Sequence, residues 1–447
     1  MNKYLIVGII LVVLVALLAT NKKLVETFKN IYKIEELRKR ILFTLGLLLI
    51  YRLGSFVTLP GVDHAALEAF TKSFENDNSL LGLLNVFSGG AFSQASIFAL
   101  GVMPYITASI IIQLMGIMVP YFRKMQREGE SGRRKMNQWT RFLTIGVLLL
   151  QGPAYLKTQV MPTGAVTQES MFLVTSTIIL IAGTMFIMWL GEKITDKGIG
   201  NGISLIIMIG IVARLPMAFL QEVTLKLGGA GSIIMLIVEL VFLALVFMLA
   251  IAIVQAVRKI PVQYAKRIVG NKQYGGVRQY IPLKLNAANV MPIIFAQALM
   301  FIPGLIWGGT WLDIQSFWYN FTLAVLVIAF TYFYTAIIVN PQMMADDMKR
   351  NGGFIPGVKP GKSTVTYIDN IMTRITLPGS IFLALITVLP AVAMTLGVNS
   401  SFAYFYGGTS LLIMVGVVLD TLKQIESYLL MRHYDGLMKT GRIQGRY

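Results

Sequence analysis

Ten long apolar stretches follow one another along the chain, at residues 41–58, 95–119, 139–157, 171–190, 201–220, 232–257, 285–307, 317–339, 371–393 and 402–422. About 20 apolar residues in helical form cross the roughly 30 Å hydrocarbon core of a bilayer, so each stretch has the length of a span. The runs are continuous and rich in Leu, Ile, Val and Met, whereas the strands of a membrane barrel alternate apolar and polar residues over short segments. Only 13% of the 447 residues are charged, too few to cover a water-facing surface. The expected fold class is an all-α polytopic membrane protein with ten core transmembrane helices.

The connecting segments alternate in charge. Those beginning at Tyr121, Gly191, Arg258, Asn340 and Lys423 hold most of the Lys and Arg, and the others are neutral or acidic, with Asp63, Glu68, Glu75 and Asp77 in the first. The positive-inside rule then places the basic loops and the C-terminus in the cytoplasm and gives an even number of core spans. The formal net charge of +18 has two readings, that rule alone or a specific basic docking surface.

Chemistry-bearing residues are scarce. Cysteine is absent and only His64 and His433 are present, which argues against a thiolate, bis-histidine or haem site, and no cofactor or metal is expected. Arg52, Glu239 and Asp420 are isolated charges within the spans and form no relay of carboxylates or histidines. The run Gly198-Ile-Gly-Asn-Gly202 precedes an apolar span and lacks the Gly-Lys-Ser that a phosphate loop needs. No enzymatic activity is expected.

Three segments depart from the span-and-loop pattern. Residues 1–23 are apolar from Tyr4 to Ala19 and are followed by Lys22 and Lys23, the wrong flanks for a cleavable signal, so they read as an extra span or an appended segment. Residues 24–40 alternate apolar and charged side chains at helical spacing, which suits a helix on the cytoplasmic membrane surface, with a solvated linker as the alternative. Residues 80–93 are apolar, too short to cross, and interrupted by Gly89 and Gly90. Non-helical backbone at membrane depth is tolerated only where protein or a water-filled cavity surrounds it, the alternative being a loop resting on lipid headgroups.

Long motifs tie these pieces together. They include Tyr51-Arg-Leu-Gly-Ser-Phe56, Phe87-Ser-Gly-Gly90, Ala95-Ser-Ile-Phe-Ala-Leu-Gly-Val-Met-Pro-Tyr-Ile106, Ser109-Ile-Ile-Ile-Gln113 and Glu128-Gly-Glu-Ser-Gly-Arg-Arg-Lys135. Further on come Gly183-Thr-Met-Phe-Ile-Met-Trp-Leu-Gly-Glu192, Gly198-Ile-Gly-Asn-Gly-Ile-Ser204, Tyr264-Ala-Lys-Arg267, Ile281-Pro-Leu-Lys-Leu-Asn286, Asn340-Pro341, Pro378-Gly379 and Tyr406-Gly-Gly-Thr-Ser-Leu-Leu-Ile413. From about Ile34 to its end the chain resembles the SecY family, the pore subunits of protein-secretion translocons.

The resemblance implies two inverted halves, spans 1–5 and 6–10, around an hourglass pore with a lateral gate between spans two and seven. It implies a pore ring at Val102, Ile106, Ile203, Ile207, Ile294 and Ile413, where deformable aliphatic side chains close against ions without binding them. Val102 stands where many relatives carry isoleucine. A plug is implied at residues 80–93, including Asn85, Phe87, Ser88, Gly89 and Gly90. Lateral-gate positions are Thr107, Gln151 and Asn286, polar groups whose interhelical bonds contribute only about 1 kcal/mol. SecA and ribosome docking falls on Lys266, Arg267, Lys272 and Lys359; Lys359 replaces a usual arginine and Asn271 another usual basic residue, keeping or losing charge without the bidentate fork. Implied partners are SecE and SecG in a heterotrimer, SecA, the ribosome, unfolded secretory and membrane-protein precursors, anionic lipids, SecDF and YidC. The implied location is the bacterial inner membrane.

The expected organisation is 1–23, the surface helix 24–40, an N-terminal half 41–220, span six with its preceding loop 221–257, a basic loop 258–284, spans seven and eight 285–340, a second docking loop 341–370, spans nine and ten 371–425, and a tail 426–447. A secondary transporter and a pore-less membrane scaffold are the competing readings. The missing midplane charges, the Gly-Gly segment and the large basic loops favour the channel.

Overall fold

The computed structural model describes residues 34–63, 85–163, 169–227, 233–264, 267–269, 272–274, 278–307 and 315–439. Residues 1–33, residues 80–84 of the expected plug, His64, Lys266 and Asn271 lie outside the described residues, and of Arg267, Lys272 and His433 only the backbone is described. The chain divides into two compact units, one formed by residues 1–77, 81–225 and 417–447 and the other by 78–80 and 226–416.

The first unit contains α1 (Glu35–Gly54), α2 (Met103–Met118), α3 (Pro120–Arg127), α4 (Glu130–Tyr155), α5 (Glu169–Lys197) and α6 (Gly202–Leu225). The second contains α7 (Ile233–Gln255), β1 (Val257–Tyr264), β2 (Arg267–Val269), β3 (Lys272–Tyr274), β4 (Arg278–Lys284), α8 (Met291–Trp307), α9 (Phe317–Ile338), α10 (Pro341–Arg350), β5 (Gly353–Phe354), α11 (Lys362–Thr395) and α12 (Ser400–Ala403). The last helix, α13 (Gly408–Lys439), starts in the second unit and continues in the first.

Among the described residues, long helices occupy all ten expected span positions, and six are each long and apolar enough to cross a membrane. A seventh joins them if α2 and α3, bent by 103° to one another, are taken together. Charged or polar ends leave α1 and α4 short of the apolar requirement, and α8, at 17 residues, is short in length. Residues 35–40 belong to α1 itself, where Glu35 pairs with Lys39 at 2.8 Å and Glu36 with Arg40 at 3.2 Å.

Two spans begin later than the apolar runs suggest, and for the same reason. Ala95 (φ 44°) and Gly101 (φ 54°) are left-handed, so residues 95–102 turn instead of coiling, and α2 starts with Pro104 in its first turn. Asn289 (φ 52°) does the same ahead of α8, which starts Met291-Pro292. Proline lacks a backbone N–H and is best tolerated in the first turn, where that donor has no intrahelical partner.

The basic loop after α7 is a sheet, which the reading of the sequence did not anticipate. β1 pairs antiparallel with β4 from Val257 opposite Lys284 to Gln263 opposite Arg278, and β2 with β3 forms a smaller ribbon. β5, from the second docking loop, pairs with the other edge of β1, so the order is β4-β1-β5. Ile260, Val262, Leu283, Met348, Ile355, Ile368 and Met372 form one buried cluster beneath it. The Asn340-Pro341 motif is a helix start: Asn340 Oδ1 accepts from the amides of Gln342 at 3.1 Å and Met343 at 3.2 Å, with proline in the first turn of α10.

Candidate functional site: a closed re-entrant segment and its aliphatic surroundings

The short segment after the first span is buried within the first unit, not lying on a surface. Asn85 to Ser93 are all buried, and the chain turns at Gly89 (φ 66°) and Gly90 (φ 95°), conformations that only glycine adopts without strain. Its polar groups satisfy one another. The Gly90 amide donates to the Asn85 carbonyl at 2.9 Å, the Ser93 amide to Asn85 Oδ1 at 3.1 Å, and the Phe92 amide to Ser88 Oγ at 3.0 Å. Tyr155 Oη donates to the Phe92 carbonyl at 2.6 Å. Beyond the turn, Leu59 donates to Ala95 at 2.9 Å and Ile97 to Val57 at 2.9 Å, stitching the segment to the chain that leaves α1. Apolar backbone without regular helix is stable at membrane depth only when its amides and carbonyls are met in this way.

The segment's outer fit depends on small residues. A Cβ on Gly89 would lie 2.9 Å from the Gly210 Cα, so the turn and α6 touch backbone to backbone. Arg52 and Arg214 also reach the turn, Arg52 Nη1 donating to the Gly89 carbonyl at 2.8 Å and Arg214 Nη2 lying 3.4 Å from Ser93 Oγ. Arg214 was missed in the sequence; the signal was a lone arginine within an apolar span.

Four of the six expected ring residues meet in the first unit. Val102 and Ile106 sit one turn apart at the start of α2, and Ile203 and Ile207 one turn apart on α6. All four belong to a single cluster with Tyr51, Phe98, Ile187 and Leu190, and Ala91 of the re-entrant segment packs in the same cluster. In the second unit Ile294 lies one turn from Gln297 on α8 and Ile413 one turn from Thr409 on α13; Thr409 Oγ1 donates to Gln297 Oε1 at 3.4 Å, both side chains buried.

The polar gate candidates are placed less uniformly. Thr107 is on α2 and donates to its own helix at the Met103 carbonyl, 3.1 Å. Gln151 is exposed on α4. Asn286 is buried, and it precedes α8 in a turn instead of lying on the helix, for the reason given by Asn289 and Pro292.

Of the docking residues, Lys359 is exposed at the tip of the 351–361 loop, and its carbonyl accepts from Thr364 Oγ1 at 3.0 Å. Arg267 and Lys272 sit on the β2 and β3 ribbon, Arg267 opposite Tyr274 and Lys272 opposite Val269. Both loops named from the sequence therefore meet in one sheet.

The glycine-rich run 198–202 is a tight helical hairpin between α5 and α6. Cβ atoms on Gly198 and Gly202 would collide with the Ile194 and Gly191 carbonyls, and the Ile199 amide donates to Thr44 Oγ1 at 3.1 Å. The Gly200 amide donates to Gln424 Oε1 at 2.8 Å. With protein filling the space beside Gly198, Gly200 and Gly202, the glycines serve packing. Glu239, one of the isolated charges, is tied to Lys226, with Oε1 2.9 Å from Nζ, which removes it as a free transport carboxylate.

A helical membrane protein that seals a glycine-turned segment, helical at residues 85–87 and turning from Ser88, among aliphatic spans has the architecture of a channel subunit. The chain belongs to the SecY family, whose profile matches residues 96–422. It is 42% identical to the protein translocase subunit SecY of Streptomyces scabiei, over 93% of this chain and all of that one. The SecY of Corynebacterium glutamicum is also 42% identical, over 93% of this chain and 99% of its own. Among solved structures, "The structure of a protein conducting channel" superimposes with a TM-score of 0.58 at 17% identity, covering 87% of this chain and 92% of that one. A structure of Sec61 in the canine ribosome-channel complex matches with a TM-score of 0.53 at 16% identity over the same shares.

Proposed function

We propose that the chain is the pore-forming subunit of a bacterial Sec translocon in the inner membrane, passing unfolded polypeptides across and releasing apolar segments sideways into the bilayer. The observation that carries this reading is the 85–93 turn, buried and internally hydrogen-bonded beside the aliphatic cluster of Val102, Ile106, Ile203 and Ile207. A removable stopper over a ring without polar partners keeps ions out at rest and lets a chain of any sequence through. Ile294 and Ile413 complete the ring, and Thr107, Gln151 and Asn286 act at the lateral gate, where weak polar contacts yield to an entering apolar helix.

The sheet-bearing loops face the cytoplasm with Lys266, Arg267, Lys272 and Lys359 toward SecA or the ribosome, whose acidic surfaces or RNA phosphates suit these cations. SecE and SecG complete the complex, anionic lipids surround it, and SecDF and YidC assist it. The basic charge of the loops beginning at Tyr121 and Arg258 supports the orientation.

The test is reconstitution of the full chain with SecE, SecG and SecA in proteoliposomes, followed by ATP-dependent protection of an unfolded, signal-bearing precursor from added protease. Protection that is lost on charge reversal of the loop cations supports pore and docking loops together. A folded, SecA-bound preparation that protects nothing rejects the reading.

A further inference from the structure

Two arginines within the spans converge on the same turn from different helices, which the positive-inside distribution does not explain. Arg52, in the last turn of α1, donates to the Gly89 carbonyl at 2.8 Å, lies 3.4 Å from Ser55 Oγ, and has its guanidinium carbon 4.6 Å from the centre of the Phe56 ring. Arg214, on α6, lies one turn beyond Gly210, the residue against which Gly89 is seated. That close approach lays the Arg214 side chain across the turn, with Nη2 3.4 Å from Ser93 Oγ and only 2.8 Å from where a Cβ on Gly90 would stand.

We propose that Arg52 and Arg214 form a cationic latch on the resting channel, with the Gly89 carbonyl and the Ser93 hydroxyl as its catches. The proposal rests on the reading of residues 85–93 as a plug. Aliphatic packing is non-directional, and beside the neutral bond from Tyr155 the two arginines add charged donors, which are directional and stronger than neutral ones. Both guanidiniums are half-buried, so each keeps its oxygen partner while the seated turn limits the water that competes for it. Once a translocating chain displaces the turn and the funnel fills with water, solvent takes over those hydrogen bonds and the latch lets go without a trapped charge. Reseating the turn expels that water and restores both contacts.

The test is single-channel recording in planar bilayers, with the full chain and the small partner subunits proposed above, in the absence of motor and precursor. Arg52→Leu and Arg214→Leu are each expected to raise the resting open fraction roughly tenfold, the equilibrium shift of one lost charge-assisted hydrogen bond. The unit conductance after opening by a signal-bearing precursor is expected to stay unchanged. Ser93→Ala removes the catch and also the bond from Ser93 Oγ to the Gly90 carbonyl at 3.1 Å, so it should raise the resting fraction at least as much as Arg214→Leu does, and adding Arg214→Leu to it should add nothing further. Deleting residues 85–93 separates the two levels. If the deletion opens the resting channel but the arginine and Ser93→Ala variants stay sealed, or if Arg214→Leu and Ser93→Ala add independently, the latch is wrong. A deletion that leaves the resting channel sealed rejects the plug itself.

Discussion

Glu239 Oε1 lies 2.9 Å from Lys226 Nζ, with the two side chains only 5% and 9% exposed. Lys226 also donates to the Gly397 carbonyl at 3.0 Å, and the Glu239 carbonyl accepts from Tyr406 Oη at 3.0 Å, so the pair ties α7 to the chain around α12. Breaking a buried pair from one side strands a charge, at a cost of about 3–5 kcal/mol, whereas replacing both partners with apolar groups is often neutral. Lys226→Met is therefore expected to lower the thermal unfolding midpoint in detergent sharply. The double variant Lys226→Met, Glu239→Leu should recover most of the loss.

Gly202→Ala and Gly46→Ala should behave as opposites. A Cβ on Gly202 would collide with the Gly191 carbonyl, whereas a Cβ on Gly46 of α1 meets nothing within 4 Å. The first substitution forces α5 and α6 apart at the hairpin and should cost several times the roughly 1 kcal/mol by which Ala outranks Gly in a helix. The second should be neutral or stabilising by up to about that amount. Unfolding midpoints of the two variants measured side by side decide the matter.

Tyr155→Phe removes one oxygen, the donor to the Phe92 carbonyl at 2.6 Å, while keeping the ring that packs 4.8 Å from the Phe92 ring. A buried acceptor left alone costs about 1–3 kcal/mol. Amide exchange across residues 85–96 should accelerate by roughly tenfold or more, with little change in α9 or α11. Equal protection in both proteins would show that the tyrosine is irrelevant to the segment.

Under the proposed docking role, Lys359→Glu is expected to weaken binding of SecA without changing the unfolding midpoint, because the side chain is exposed and the Lys359 carbonyl keeps its bond from Thr364 Oγ1. The loss should be largest at low salt and fade as ionic strength rises toward 1 M, where the screening length falls to about 3 Å. Titration of SecA against the reconstituted complex at two salt concentrations measures it.

The span positions were legible because length and apolar continuity are local properties, and those runs coincide with helices in the structure. Helix starts were less so. Ala95 and Leu285 look like span residues, yet the left-handed turns at Gly101 and Asn289 delay α2 and α8 until their Met-Pro beginnings. That shared Met-Pro signal was present at 103–104 and 291–292 and was available as a first-turn marker. The sheet was hidden because Val257–Tyr264 reads as a basic loop until β4 and β5 close on its two edges. At the candidate site, the glycine pair was visible as an interruption. Its partners Arg214 and Tyr155 were not, since nothing in the spacing of 89, 155 and 214 announces that they meet.

Strand β1 has β4 on one edge and β5 on the other, so two segments about 70 residues apart in sequence share a single backbone ladder. β4 ends at Lys284, seven residues ahead of α8, and β5 ends at Phe354, eight ahead of α11. Gly379 of α11 in turn sits so close to the Leu285 carbonyl that a Cβ there would stand 2.8 Å away. The sheet is thus a yoke. Through it the segments leading into α8 and α11 are held by one backbone ladder, so neither loop is an independent tether.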